Sequence, residues 1–124
     1  MPKLLTEAEL ELMHVLWSHG PSTVRYVHRH ISASREVAYT TIATVLKVLA
    51  DKGFASTSKD GRALIYTAAV AEDRYAQRGV KHLVERLFSG NPVSLVRSLV
   101  ASETLSADEI DELQALINTA RDSE

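Results

Sequence analysis

The chain has 124 residues, enough for one domain or for one small domain with an appendage. Apolar residues make up 45% and charged residues 24%, which is typical of a globular protein. Cysteine is absent from the sequence, which excludes disulfides and thiolate metal sites. No stretch approaches the ~18 apolar residues of a membrane span, so we expect a cytoplasmic protein.

The net charge of −2 is distributed unevenly along the chain. Residues 1–68 carry eight basic and six acidic side chains, whereas residues 69–124 carry six and ten. Within residues 25–62 basic side chains outnumber acidic ones by seven to three. Because phosphates respond to the local charge, this distribution is compatible with nucleic-acid binding despite the acidic total.

The first two helices are predicted from capping signals. Thr6 and Glu9 have the spacing of a capping box and begin a first helix. Its apolar residues are Leu10, Met13, Val15, Leu16 and Trp17. Ser22 or Thr23 caps a short second helix. The apolar residues of that helix are Val24, Val27 and Ile31.

A third helix and a hairpin follow. The helix runs from about Ala38 to Lys52, and Gly53 is its natural C-terminal stop. Residues 54–57 and 64–67 are predicted strands, and the Asp-Gly pair between them is typical of a hairpin turn. Three helices followed by a hairpin predict a winged helix-turn-helix, which we assign to residues 1–70 as a DNA-binding domain.

Residues 71–124 are predicted to be wholly helical, which makes the fold mainly α with a small β-hairpin. Ser106 and Glu109 form a second capping box for the last helix. Each short helix is apolar on one side only, so pairing with a second copy would bury the remaining stripes and make this a dimerisation domain. The alternative is a monomer whose tail folds back on the winged helix. The predicted dimerisation residues are Leu83, Leu87, Leu95, Leu99, Ile110, Leu113, Leu116 and Ile117.

The third helix is the most informative segment for function. At 100° per residue one face is apolar, made of Ala38, Ile42, Val45, Leu46 and Leu49. The opposite face is slim and polar, made of Thr40, Ala43, Thr44 and Lys47, with Tyr39 and Thr41 beside it. Small side chains approach base edges closely and a lysine binds guanine or phosphate, so this face is predicted to bind DNA. A merely solvated amphipathic helix would show the same pattern.

Other basic residues are candidate phosphate ligands. Lys59 and Arg62 flank the hairpin turn and are predicted to contact DNA, as is Arg35 in the turn before the third helix. Further candidates at the second helix are Arg25, Arg29 and the hydroxyls of Ser22 and Thr23.

No metal site, cofactor or catalytic centre is predicted. His28 and His30 lie roughly 200° apart on a helix, so they do not share an ion. Glu11 and His14 are one turn apart and form at most half of a carboxylate–histidine site. The sequence lacks the H-E-x-x-H, G-x-S-x-G and P-loop motifs, and we expect a protein that is not an enzyme.

These features together resemble the penicillinase repressor family, the BlaI/MecI/CopY group. The resemblance spans nearly the whole chain. It is carried by residues 5–9 (LTEAE), 16–17 (LW), 38–42 (AYTTI) with Val45, Leu46 and Leu49, 52–53 (KG) and the strand of Tyr66. It implies a homodimer whose winged helices occupy two operator half-sites and block transcription. It also implies that Thr40, Thr41, Thr44 and Lys47 face the DNA.

The chain departs from the family pattern in two places. Copper-responsive members carry a cysteine-rich tail, which this sequence lacks, so copper sensing is not expected. β-Lactam-responsive members are inactivated by proteolysis at an Asn-Phe bond, and the corresponding position here is Ser98-Leu99. The resemblance therefore implies a regulatory protease as a partner only if its cleavage specificity differs; the alternative is that this protein answers another signal.

The sequence thus predicts a repressor that binds a palindromic operator as a homodimer. Two alternatives remain open at this stage. One is a small-molecule-sensing winged-helix regulator, which requires a ligand cavity. The other is a winged-helix protein-interaction module that does not bind DNA.

Overall fold

The structure is a computed structural model that describes residues 4–123. Residues 1–3 and 124, which the predicted domains 1–70 and 71–124 include, lie outside the described residues. Among the described residues no helix is long and apolar enough to cross a membrane. The elements in chain order are α1 (Glu7–His19), β1 (Ser22–Thr23), α2 (Val24–Ser32), α3 (Tyr39–Asp51), β2 (Ala55–Asp60), β3 (Ala63–Ala68), α4 (Glu72–Leu87), α5 (Pro92–Ala101) and α6 (Ala107–Asp122).

The predicted helix starts are confirmed by their caps. The Thr6 hydroxyl accepts from the backbone N–H of Glu9, whose carboxylate accepts from the N–H of Thr6. The last helix begins with the same reciprocal pair at Ser106. Ala38 is the N-cap of α3, makes no side-chain cap and is exposed. Its predicted place on the apolar face is wrong because it precedes the first helical turn.

The hairpin is longer and its turn tighter than predicted. Strands β2 and β3 pair antiparallel from Ala55↔Ala68 out to Asp60↔Ala63, which leaves a two-residue turn. Gly61 adopts a φ of 63° there, a conformation that glycine reaches without strain. Strand β1 pairs with β3 through Ser22↔Tyr66, so the sheet has three strands in the order β1-β3-β2. A two-residue strand has no periodicity, which is why the sequence pattern missed it.

The core of the winged helix lies between its three helices and the base of the sheet. Side chains that are nearly inaccessible to solvent come from all three helices, namely Leu12, Met13, Val27, Ile42, Leu46 and Leu49. Phe54, Ala55 and Tyr66 close this core from the sheet side. Leu12, which was absent from the predicted apolar face of α1, is buried, whereas the predicted Leu10 and Trp17 are half-buried. The winged helix-turn-helix, and with it the predicted fold class, is confirmed.

The first compact unit extends beyond the hairpin into α4. The Tyr75 hydroxyl accepts from the backbone N–H of Leu5 at 2.7 Å, and its ring packs near those of Trp17 and Phe54. Trp17 in turn donates from Nε1 to the carbonyl of Val70. The boundary between compact units therefore falls after Gly79. The predicted division into a DNA-binding and a dimerisation domain at residues 70 and 71 is functional and stays a prediction.

The second compact unit, from Val80 onward, buries little of its apolar surface. Val84 is the one side chain described as buried in this unit, and α5 and α6 have none. The exposed large apolar side chains are Val80, Leu83, Leu87, Val93, Val96, Val100, Leu116 and Ile117. A unit of this kind is far from the close packing of an ordinary core.

Candidate nucleic-acid interface

Helix α3 has one buried and one exposed face, as its sequence predicts. Ile42, Leu46 and Leu49 lie at most 1% exposed in the core. Because side chains repeat every 3.6 residues, this burial turns the opposite side outward. That side carries the exposed Thr40, Thr41, Thr44 and Lys47, with Ala43 half-buried. The exposed surface of α3 is therefore narrow and polar, with one cation.

Tyr39 stands at the start of this surface and is 49% exposed. Its ring meets that of His28 edge to face, with centroids 5.5 Å apart. His28 Nε2 lies 2.8 Å from the carbonyl oxygen of Val37, which is within hydrogen-bond distance. His28 thus connects α2 to the segment just before α3 and packs against Tyr39, the first residue of α3. Sequence reasoning missed this role because the two residues lie on different elements.

The wing is exposed along most of its length. In β2 only the first residue is buried, and the five that follow are all exposed. Lys59 stands opposite Leu64 in the register, and Arg62 lies in the turn. A strand exposed on both faces projects from the body of the protein. The structure therefore places both predicted wing cations near the tip of a projecting hairpin.

Arg35 is not a free cation in the structure. Its guanidinium donates to both carboxylate oxygens of Glu11, at 2.6 and 3.3 Å. The hydrogen bonds from Arg35 lower the pKa of the Glu11 carboxyl below its usual value. The predicted contact of Arg35 with DNA stays a prediction, and it would require the guanidinium to share or leave Glu11. His14, which lies one turn from Glu11 on α1, has its Nδ1 3.5 Å from the carboxylate of Glu72.

A second ion pair anchors the end of α3. Lys52 Nζ lies 2.7 Å from the Glu9 carboxylate, whose side chain is only 7% exposed. Burial by itself would raise the pKa of Glu9, but hydrogen bonds from Lys52 and Thr6 outweigh it and hold the pKa below the usual value. Among the described residues, the cations of segment 25–62 outside such ion pairs are Arg25, Arg29, Lys47, Lys59 and Arg62.

The hydroxyls before α2 are used within the protein. Ser22 is buried, and its Oγ donates to the carbonyl of Gly20 at 2.8 Å. Thr23 caps α2 by accepting from the N–H of Tyr26. The expected phosphate contact of Ser22 is therefore wrong, because its strand pairing with β3 buries it.

The predicted dimerisation residues lie on α4, α5 and α6. Leu83, Leu87, Leu116 and Ile117 are exposed, while Leu95, Leu99, Ile110 and Leu113 are half-buried. No group of three or more potential metal ligands occurs within residues 4–123.

Three helices, a paired wing and an outward-facing polar face on the third helix define a winged helix-turn-helix protein with a surface suited to nucleic acid. The model of the penicillinase repressor family matches residues 5–119. The penicillinase repressor of Bacillus licheniformis is 30% identical over 113 residues, which cover 91% of this chain and 88% of that protein. The transcriptional regulator BlaI of Mycobacterium tuberculosis is 38% identical over 118 residues, covering 92% and 84%.

A solved structure is similar as well. The solution structure of monomeric Bacillus licheniformis BlaI in complex with the blaP half-operator has a TM-score of 0.51 and 34% identity. The match covers 60% of this chain and 89% of that one. The chain belongs to the penicillinase repressor family.

Proposed function

We propose that this chain represses transcription by binding operator DNA as a homodimer, with α3 in the major groove. The observation that carries the proposal is the exposed polar face of α3, which lies opposite the buried apolar face of the same helix. A helix is admitted by the major groove, where each base pair presents its own pattern of donors and acceptors. The family supports the same function, since its relatives are named as repressors and one of them was solved on a half-operator.

Within this proposal Thr40, Thr44 and Lys47 read bases. A threonine hydroxyl donates or accepts, and its methyl group packs on the methyl group of thymine. These side chains are short, so α3 has to enter the groove deeply. The half-buried Ala43 permits that approach because it adds no bulk to the face.

The remaining cations supply affinity that is independent of sequence. Lys59 and Arg62 on the wing, and Arg25 and Arg29 on α2, are exposed. Each lysine or arginine that neutralises a phosphate releases counterions, which makes binding fall as salt rises. Tyr39 and Thr41 are exposed at the edge of the α3 face and would donate to the DNA backbone.

Dimerisation is assigned to the second unit. Leu116 is 62% exposed and Ile117 54% exposed on α6, and α4 and α5 add further apolar side chains. Burying this many exposed apolar side chains lowers the free energy of the complex. A two-fold axis pairs identical surfaces, so two copies of this unit can cover each other. Two winged helices related by such an axis match the two halves of a palindromic operator. The complex would act in the cytoplasm, as the sequence predicts.

A regulatory protease remains the partner that the family resemblance suggests. Ser98-Leu99 lies inside α5, and Leu99 is half-buried. A protease needs an extended segment, so cleavage there would follow local unwinding of α5.

Selection from a pool of random-sequence duplexes tests the proposal. We expect the full chain to enrich an inverted repeat whose half-site centres are about one helical turn apart, or a multiple of it. Affinity for the enriched duplex should fall steeply as the salt concentration rises. At each salt concentration the enriched duplex should still bind more tightly than a scrambled duplex. Enrichment of no sequence, or binding that is insensitive to salt, would contradict the proposal and favour a protein-interaction module.

A further inference from the structure

Two histidines from different helices meet on the surface of the winged helix. His19 is the last residue of α1, and His30 lies in the last turn of α2. Their Nε2 atoms are 3.1 Å apart. Both side chains are exposed and border a groove of ≈ 250 Å³ between the two helices. This pair lies outside the proposed DNA-binding residues and plays no part in the function described above.

The separation of the two nitrogens suits a shared metal ion. Nitrogen ligands about 2.0–2.1 Å from one ion lie about 2.9 Å apart at a right angle and about 3.3 Å apart in a tetrahedron. The observed distance of 3.1 Å falls between these two values. The pair therefore needs little movement to bind an ion through both nitrogens.

The orientation of the rings agrees with this. In a straight N–H···N hydrogen bond the ring centroids would be about 5.4 Å apart, and about 4.8 Å apart if both nitrogens pointed at one ion. The observed centroid separation is 4.7 Å, with the planes 60° apart. The rings are therefore bent away from a straight hydrogen bond.

Tyr26 supplies the outer partner that metal-binding histidines usually have. Its hydroxyl lies 3.2 Å from Nδ1 of His19, the ring nitrogen that does not face His30. A tyrosine hydroxyl both donates and accepts. When His19 carries its proton on Nε2, Tyr26 donates to Nδ1. When Nε2 binds a metal, the proton moves to Nδ1 and is donated to Tyr26, which fixes the metal-binding tautomer.

We infer that His19 and His30 form a binding site for a divalent transition metal ion, with Tyr26 as the positioning residue of His19. Two neutral imidazoles suit Zn²⁺, Ni²⁺ and Cu²⁺, whereas Mg²⁺ and Ca²⁺ prefer oxygen ligands. Among the described residues no third histidine or carboxylate joins the pair. Water or an external ligand completes the coordination. Because the two ligands come from α1 and α2, the bound ion cross-links these helices.

Titration of the tag-free full chain with Zn²⁺ at pH 7.5 tests the site. The wild type should bind Zn²⁺ and gain thermal stability from it, because an ion that binds only the folded state stabilises it. Mg²⁺ should have no effect. His19→Gln and His30→Gln should each weaken binding more than about 10-fold, and Tyr26→Phe about 10-fold. His82→Gln, an exposed histidine on α4, is the matched control and should bind as the wild type does.

Paramagnetic resonance of Cu²⁺ gives an independent readout. The wild-type spectrum should show two equatorial imidazole nitrogens, and the spectrum of either single variant should show one. Melting curves without metal should be the same for all variants, since the substituted side chains are exposed. Zn²⁺ affinity unchanged in both His19→Gln and His30→Gln, or equal stabilisation by Mg²⁺, would overturn the inference.

Discussion

Truncating one exposed leucine should weaken the proposed dimer by a predictable amount. Leu116 is 62% exposed on α6 and would become buried on association. Leu116→Ala removes three carbon groups at about 0.8 kcal/mol each, and about two thirds of that transfer free energy belongs to association. The cost is about 1.5 kcal/mol per chain, and about 3 kcal/mol for a symmetric pair. The dissociation constant of the dimer should therefore rise roughly 100- to 200-fold.

Sedimentation equilibrium over a dilution series measures this change directly. The fold of the single chain should survive, because alanine is the best helix former and the leucine is mostly exposed. Asn118→Ala on the same helix is the matched control, since position 118 lies about 200° from Leu116 and about 100° from Ile117 around the helix. An unchanged dimer constant in Leu116→Ala would show that this face of α6 is not the interface. A wild-type chain that is monomeric at micromolar concentration would refute dimerisation through this unit.

Three further predictions concern the winged helix. Thr44→Ala should weaken binding to the selected operator by about 1–3 kcal/mol per half-site and leave binding to scrambled DNA unaffected in duplex titrations, with Thr119→Ala as the control. An unchanged ratio of the two affinities would mean that another face of α3 meets DNA. Lys59→Ala should weaken binding to both duplexes alike and reduce the salt slope by about one per half-site, or about two for the dimer on a full operator. An altered sequence preference would instead make the wing a base reader. Glu9→Gln should be less stable than the wild type at pH 7 in urea unfolding, because it loses the ionic bond to Lys52. The pKa of Glu9 is lowered in the folded state, so this difference in stability should be fully present above the usual pKa of 4.5. It should disappear as the pH falls through the folded-state pKa. A stability difference that does not depend on pH would contradict this explanation.

Local patterns in the sequence were enough to predict most of the elements. The Thr6–Glu9 and Ser106–Glu109 spacings predict two helix starts that the structure confirms, because a capping box forms within four consecutive residues. The Asp-Gly pair predicts the hairpin because a tight turn is likewise formed within a few consecutive residues. The two faces of α3 follow from helical periodicity. The penicillinase repressor family, predicted from the same strings, is confirmed by the family match.

The sequence was less informative about strand ends and the core. Strand β2 ends at Asp60 and strand β3 begins at Ala63, so Lys59 belongs to a strand and not to the turn. Ladder hydrogen bonds set these ends, and exposed polar residues such as Ser58 give no apolar alternation to mark them. Leu12 is buried and Leu10 only half-buried, because Leu12 lies three and four residues before the buried Val15 and Leu16 and so on the same side of α1, a spacing that the predicted face overlooked.

Only the tertiary structure decided which charged and polar side chains meet. Arg35 is 24 residues from Glu11 in sequence, and Lys52 is 43 residues from Glu9, yet each pair is joined by hydrogen bonds. His19 and His30 lie 11 residues apart on separate helices, so no spacing rule relates them. Spacing rules hold within one helix or strand, where the backbone sets the distance between side chains. Between elements that distance is set by packing, which is why the repressor fold was readable from the sequence and the histidine pair was not.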